Sequence, residues 1–473
     1  MVRKLVLRPD RYDGRWIFGD ERVSGSILLQ GQRRPSGKLG EVTGPTLRHT
    51  EVGFPHDDEV DVLRGWLDTN HEVVLLGVTL LHWFPGRTRM SADVALVGGE
   101  VPEDLLFTSI EFQVGGLTEL AGVRPLKDVL MPHTLSEGAV FSATRGEHSV
   151  QRWITTDGDE LELNFTATVD YGDWYGMAVT SAPVVRVFGE ARTAQDWIGQ
   201  YVQPLAEITT LATQRRQSVS WLQVRPGKDK WPVQVFTADM DQEPYNATAP
   251  DPKLMISDTH PSLIQLGPNG AVLPELLGRW RALRTDHTTF HDYLTLSHRD
   301  PLISRRSRFL AAVPALEGLH AATHGEVPAG RDDQRRAEVI DRIRALPGVQ
   351  AADLDYLDQR LAPPTSYQLA YRLRALVQDD LGDELDAMIT RCTSPLPDFL
   401  ALQGISGPQD IWEVMATARN RIAHGRNLVP AIEQVDALAR LAHTMATGMA
   451  LVHLGVSDTA LRAGIEHDRW SML

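Results

Sequence analysis

Arg419, Asn420 and His424 fall within one short run, Arg419-Asn420-Arg421-Ile422-Ala423-His424-Gly425-Arg426-Asn427. Cleaving RNA without a metal needs a group to accept the ribose 2′-hydroxyl proton and one to protonate the leaving 5′-oxygen. It also needs a cation for the charge developing on the phosphate. Histidine suits proton transfer because its ordinary pKa lies near neutrality. Arginine presents a rigid fork of donors to phosphate oxygens. On a helix, Asn420 and His424 stand one above the other, with Arg419 a single step around. Asn420 can orient the imidazole or the phosphate, and Arg421 and Arg426 can hold substrate. One histidine per chain is a lean site, so two copies across a two-fold axis would supply both proton-transfer roles. The plainer alternative is a histidine favoured by a helix C-terminal dipole, an ordinary glycine cap and solvated arginines.

Other groups carry weaker signals. His287, His291 and His298 stand near Asp286, Asp292 and Asp300. However, Thr288-Thr289-Phe290 favours a strand, which would hold the first two imidazoles about 13 Å apart, too far to share a metal. No metal site and no cofactor is therefore expected. Arg305, Arg306 and Arg308 form a local basic patch, expected as a solvated helix face with contact to RNA as the alternative, and Glu317 is a lone acid on a predicted helix. Trp16, Trp83, Trp153, Trp174 and Tyr175 are expected to pack in a β region. Asp157 and Asp159 are expected as turn residues, and the Pro226-Gly227-Lys228 and Gly267-Pro268-Asn269-Gly270 turns lack phosphate-loop spacing. Cys392 is alone, so no disulfide forms within the chain.

These groups need elements to position them. From about residue 10 to 190, short alternating runs recur: Gly25–Gln30, Glu72–Leu80, Asp93–Val97, Ser149–Ile154 and Glu160–Val169. The Asp157-Gly158 turn between the last two signals a hairpin. Leu161, Leu163 and Phe165 alternate with Glu160, Glu162 and Asn164, the pattern of a strand with one wet face. A helix opening on a Thr193-to-Asp196 cap is expected over Ala194–Arg216, then strands at Ser218–Val224 and Trp231–Phe236. A loop follows over Met240–Pro261, and a helix over Pro274–Arg284. Past Pro301 strand alternation stops. Helices are expected at Ser304–Ala322, Asp332–Leu346, Ala351–Arg360, Tyr367–Gln378, Asp410–Ala423 and Pro430–Leu454. The fold class is α+β multidomain: a β-rich, sandwich- or barrel-like region over 1–190, a mixed continuation over 191–300, and an all-α bundle over 301–460.

A length of 473 residues, 42% of them hydrophobic, predicts a folded chain of more than one domain. A net charge of -15 argues against a broad, sequence-blind grip on nucleic acid, though not against one local basic cleft. The opening MVRKLVLRPD lacks the layout of a secretory leader, and no apolar run reaches about 18 residues. The expectation is a cytoplasmic protein with no membrane partner.

The run Arg419-Asn420…His424 near the end of a late helix resembles the R-x4-6-H motif of the HEPN superfamily. Arg419 and His424 fall on its defining positions, and Asn420 on the polar position after the arginine. The whole layout is similar to the ApeA family of bacterial anti-phage proteins. Gly14-Arg15-Trp16-Ile17-Phe18 and Gly25-Ser26-Ile27-Leu28-Leu29 resemble the start of its N-terminal domain. The Ala194–Arg216 helix also fits that domain, and Ala315-Leu316-Glu317-Gly318-Leu319 fits the first long helix of its HEPN bundle. The resemblance implies a metal-independent endoribonuclease of an abortive-infection system, acting as a homodimer on cellular RNA such as tRNA and leaving a 2′,3′-cyclic phosphate. It further implies that the N-terminal region senses a phage-derived trigger. The alternative is a non-catalytic HEPN-like module that binds RNA or protein, or dimerises.

Overall fold

The N-terminal half grows from hairpins. β1 (Asp10–Phe18) and β2 (Glu21–Leu29) pair antiparallel from Asp10↔Leu29 to Phe18↔Glu21. β3 (Ser36–Leu39), β4 (His56–Leu67), β5 (Glu72–Phe84) and β6 (Arg87–Gly98) complete a closed ring in the order β1-β2-β3-β6-β5-β4 and back to β1. Closure leaves no free edge in that ring. Its register places Ile27, Gly37, Met90 and Leu80 in one row across four strands, and the three apolar side chains of that row are buried. This computed structural model describes residues 7–456 except for internal stretches, of which 41–55, 131–141, 239–261 and 393–409 are the longest. The expected loop at Met240–Pro261 lies outside the described residues, as do Trp174 and Tyr175.

β6 also belongs to a second sheet region. Its residues Thr88–Ser91 pair with β3, and Val94–Val97 pair with β14 (Val233–Thr237). From there the sheet runs through β13 (Val219–Arg225), β7 (Leu106–Val114), β12 (Gly176–Thr193), β11 (Glu160–Asp173) and β10 (Val150–Ile154). A separate small hairpin pairs β8 (Leu126–Leu130) with β9 (Ser142–Arg145). On one face Phe112, Val185 and Leu163 align and are buried. On the other, Arg152, Glu162, Arg186 and Glu111 stand directly opposite one another on successive strands. Opposite charges in register stabilise a sheet. Arg186 reaches Glu111 at 3.0 Å and Glu162 at 3.4 Å, and Arg152 reaches Glu162 at 2.8 Å. The wet face expected around Glu162 is therefore only partly wet, since Glu162 and Glu111 are buried.

A short helix α1 (Leu117–Ala121) follows β7. After β12, Thr193 caps a helical segment through a reciprocal pair of bonds with Asp196. The segment runs from α2 (Ala194–Trp197) through a π-helical turn (Ile198–Val202) into α3 (Gln203–Thr213). Its inner stripe of Trp197, Tyr201, Leu205, Ile208 and Leu211 is buried, and Trp197 Nε1 donates to the Phe107 carbonyl at 2.8 Å.

Asp159 is not a simple turn residue. It is buried, accepts from Arg192 through both carboxylate oxygens at 2.5 and 3.0 Å, and accepts from the Tyr201 hydroxyl at 2.5 Å. A side chain at Gly189 would place its first carbon 1.9 Å from Asp159 Oδ1, so only glycine lets the carboxylate approach. The Asp157-Gly158 turn is thus clamped onto β12 and the helix.

Burial, and then Asp159, push the Tyr201 phenol up from 10.0 to about 12. The unfolded chain loses this proton from about pH 10, while the folded protein keeps it until about pH 12. Stability contributed by Tyr201 is therefore fully present below pH 10 and is lost as pH rises through about 12. Urea unfolding at about pH 9 and about pH 11.5 should show a drop that Tyr201→Phe flattens. An equal drop in the variant would exclude Tyr201 as its source.

The chain divides by contacts into two compact units, Met1–Gly278 and Arg279–Leu473, within helix α4 (Leu273–Asp286). The next helix, α5 (Thr288–Arg299), corrects the strand expected around Thr288–Phe290. Its buried Phe290, His291, Tyr293 and Leu294 recur at helical spacing, and that burial outweighs the β preference of two threonines and a phenylalanine. Beyond it lie α6 (Arg305–His324), α7 (Arg331–Arg344), α8 (Ala351–Arg360), α9 (Thr365–Leu381), α10 (Ile411–Ala423) and α11 (Ile432–His453). α6, α9, α10 and α11 pack into the bundle core, in which Phe309, Val313, Leu316, Leu373, Leu376, Met415, Leu438, Leu441 and Met445 are buried. The β-rich part, barrel-like in its closed ring, is followed by an all-α bundle, which is the two-part fold expected from the sequence.

Candidate active site

α10 carries the Arg-His run, and its own sequence fixes how. Asp410 caps its start, accepting from the Glu413 amide at 2.9 Å, and Arg374 of α9 ion-pairs with the same carboxylate. Ile411, Trp412, Val414, Met415, Ala418 and Ile422 form the buried stripe turned to α9 and α6. That stripe leaves Arg419, Asn420 and Arg421 half-buried at its margin and His424 exposed. Asp410→Ala removes the cap and strands Arg374, so a loss of about 1–2 kcal/mol is expected in denaturant unfolding. Asp410→Asn should retain most of it, because asparagine caps equally well; a loss of the same size in both variants would exclude capping as the cause.

The far end places the candidate groups. The His424 amide donates to the Asn420 carbonyl at 3.1 Å, closing the last turn, and Gly425 then adopts φ 60. A left-handed residue just past a helix is glycine's usual place, and here it stops the helix directly after His424. Arg419 Nη1 donates to Asn420 Oδ1 at 2.9 Å, so the asparagine side chain holds the arginine's guanidinium. Arg421 lies on the same last turn, and Arg426 lies outside the described residues. α6 reaches this end as well. Arg305 pairs with Asp436 of α11 at 2.6 Å, and Arg306 Nη2 donates to the Ile422 carbonyl at 3.4 Å. Glu317 is engaged in an ion pair with Arg372 of α9 at 2.6 Å, which ties α6 to α9.

His287 and His291, near the α4–α5 junction, make ring contacts, and His291 Nδ1 also lies 3.7 Å from Asp292 Oδ1. His291 is buried with its ring edge-on to Trp280 at 5.2 Å, and the His287 ring lies 5.4 Å from that of His453. Tyr293 meets His443 Nδ1 at 3.1 Å, and burial raises its phenol pKa. Among the described residues no three His, Cys, Asp or Glu side chains are grouped to share a metal. Cys392 is buried with its sulfur 4.0 Å from Thr444 Oγ1. None of the described helices is long and apolar enough to cross a membrane.

Sequence reasoning missed two arrangements. The Asp159–Arg192–Tyr201 cluster had no local signal, because its partners are distant in the chain. The Arg306 contact was foreshadowed only by the basic run at the start of α6.

A β-rich domain built on a closed ring, followed by an all-α helical bundle, defines a two-part protein. The family profile described as ApeA N-terminal domain 1 matches residues 11–263, more than half of the chain, and the protein belongs to that family. No curated protein and no solved structure matches the chain.

Proposed function

We propose that the helical bundle is a metal-independent endoribonuclease. The observation that carries this reading is the end of α10, where Asn420 holds Arg419 at 2.9 Å and the last turn closes on an exposed His424. Asn420 aims the guanidinium, and Arg419 binds the scissile phosphate and offsets the charge that develops on it. His424 moves the proton, taking it from the 2′-hydroxyl in one copy and giving it to the 5′-oxygen in the other. A homodimer therefore completes the reaction, and attack by the 2′-oxygen leaves a 2′,3′-cyclic phosphate. Arg421 and Arg426 hold flanking backbone. Membership of the ApeA family supports an abortive-infection role, with cellular RNA such as tRNA as substrate and a phage-derived trigger for the N-terminal region.

Incubating the protein with total cellular RNA in EDTA and mapping the cut ends tests this. Cyclic-phosphate ends produced by the wild type and absent with Arg419→Ala are expected. RNA binding without any cut, unchanged by replacing His424, would instead favour a non-catalytic binding module.

A further inference from the structure

α6 begins with Arg305 and Arg306, and the structure separates their roles. Arg305 is committed to Asp436, whereas Arg306 is exposed and reaches across to α10. Its Nη2 lies 3.4 Å from the Ile422 carbonyl, one of the terminal carbonyls that a helix cannot satisfy internally. Ile422 precedes His424 by two residues, so this contact anchors the guanidinium at the helix end that bears His424. A guanidinium carries five N–H donors, and one long bond engages only one of them. Ser304 caps α6 beside it, its hydroxyl accepting from the Ser307 amide at 3.1 Å. The positive end of a 20-residue helix therefore points to the same place.

We propose that Arg306 is a substrate-positioning residue that binds an RNA backbone phosphate next to the one held by Arg419. This rests on the nuclease reading given above. It adds a cation from a second helix, so the RNA strand would run from the end of α10 across the start of α6. The -15 charge of the whole chain makes such local placement necessary, since the overall field repels a polyanion. A fixed guanidinium can take two phosphate oxygens at once, which a lysine cannot.

The full-length protein and Arg306→Ala would be compared in two assays. One measures the salt dependence of Kd for a fluorescein-labelled, 2′-O-methylated single-stranded oligoribonucleotide, which cannot be cut. The other measures cleavage of the unmodified oligonucleotide. Losing one phosphate contact should flatten the slope of log Kd against log salt by about 0.7. It should also lower kcat/KM by about tenfold, mainly through KM. Arg306→Lys should restore the slope but not the full kcat/KM, and Arg305→Ala should leave the slope unchanged. If the wild type cuts and Arg306→Ala keeps the wild-type slope, Arg306 is only a helix cap and the proposal falls while the nuclease stands. If the wild type binds without cutting and the slope still flattens, the nuclease reading falls and the phosphate contact survives. A wild type that does not bind the oligonucleotide overturns both.

Discussion

His424→Ala should remove RNA cleavage almost completely, by about 10²–10⁴-fold in kcat, while leaving the fold intact. The size follows from its assigned role as the group that moves the proton. The intact fold follows from placement. His424 is exposed, and the bond that closes its turn comes from the backbone amide, which alanine retains. Arg419→Ala should fall nearly as far, and Arg419→Lys should recover little because an ammonium lacks the planar fork. Asn420→Ala should cost roughly tenfold, since it frees the guanidinium without deleting it. Single-turnover cleavage by purified variants with matched melting curves is the measurement. Full activity in His424→Ala would remove the histidine from the mechanism.

Asp159→Ala should be among the most destabilising single changes in the N-terminal unit, at about 3–5 kcal/mol. The carboxylate is buried and holds three partners' worth of geometry: both ends of the Arg192 fork and the Tyr201 hydroxyl. Its removal leaves a largely buried cation and phenol facing each other across a void. Asp159→Asn keeps the shape but not the charge, so Arg192 remains uncompensated and most of the loss should persist. Trp197 offers a local probe, because the Arg192 guanidinium lies 4.7 Å from its ring centroid. Urea unfolding followed by tryptophan fluorescence should show the shift in the transition of the β-rich unit, and Asp410→Ala should shift that of the helical unit. A cost below about 1 kcal/mol would mean that the cluster is incidental to stability.

Asp159 shows where chain order stops being informative. Caps, turns and periodicities are local, so the sequence alone placed most helices within a few residues of their bounds. The Asp410–Ala423 helix, the Thr193 cap and the Asp157-Gly158 turn follow from residues a few positions apart, whose hydrogen bonds close without help from the rest of the chain. The Arg419-to-His424 spacing was legible for the same reason, because one helical turn sets it. Tertiary structure alone decided the strand order that closes the ring through β1 and β4. No local pattern names a strand's partner across such separations, and the cost of closing the intervening chain is recovered only when the whole core packs. It also decided that Asp159 finds Arg192, 33 residues on, and that Arg306 reaches Ile422, 116 residues on. The same burial turned Thr288–Phe290 from an expected strand into helix, and gave Glu162 charged partners on both sides instead of water. Sequence spacing put Arg419, Asn420 and His424 on one helix end; only packing could bring a second helix to that end.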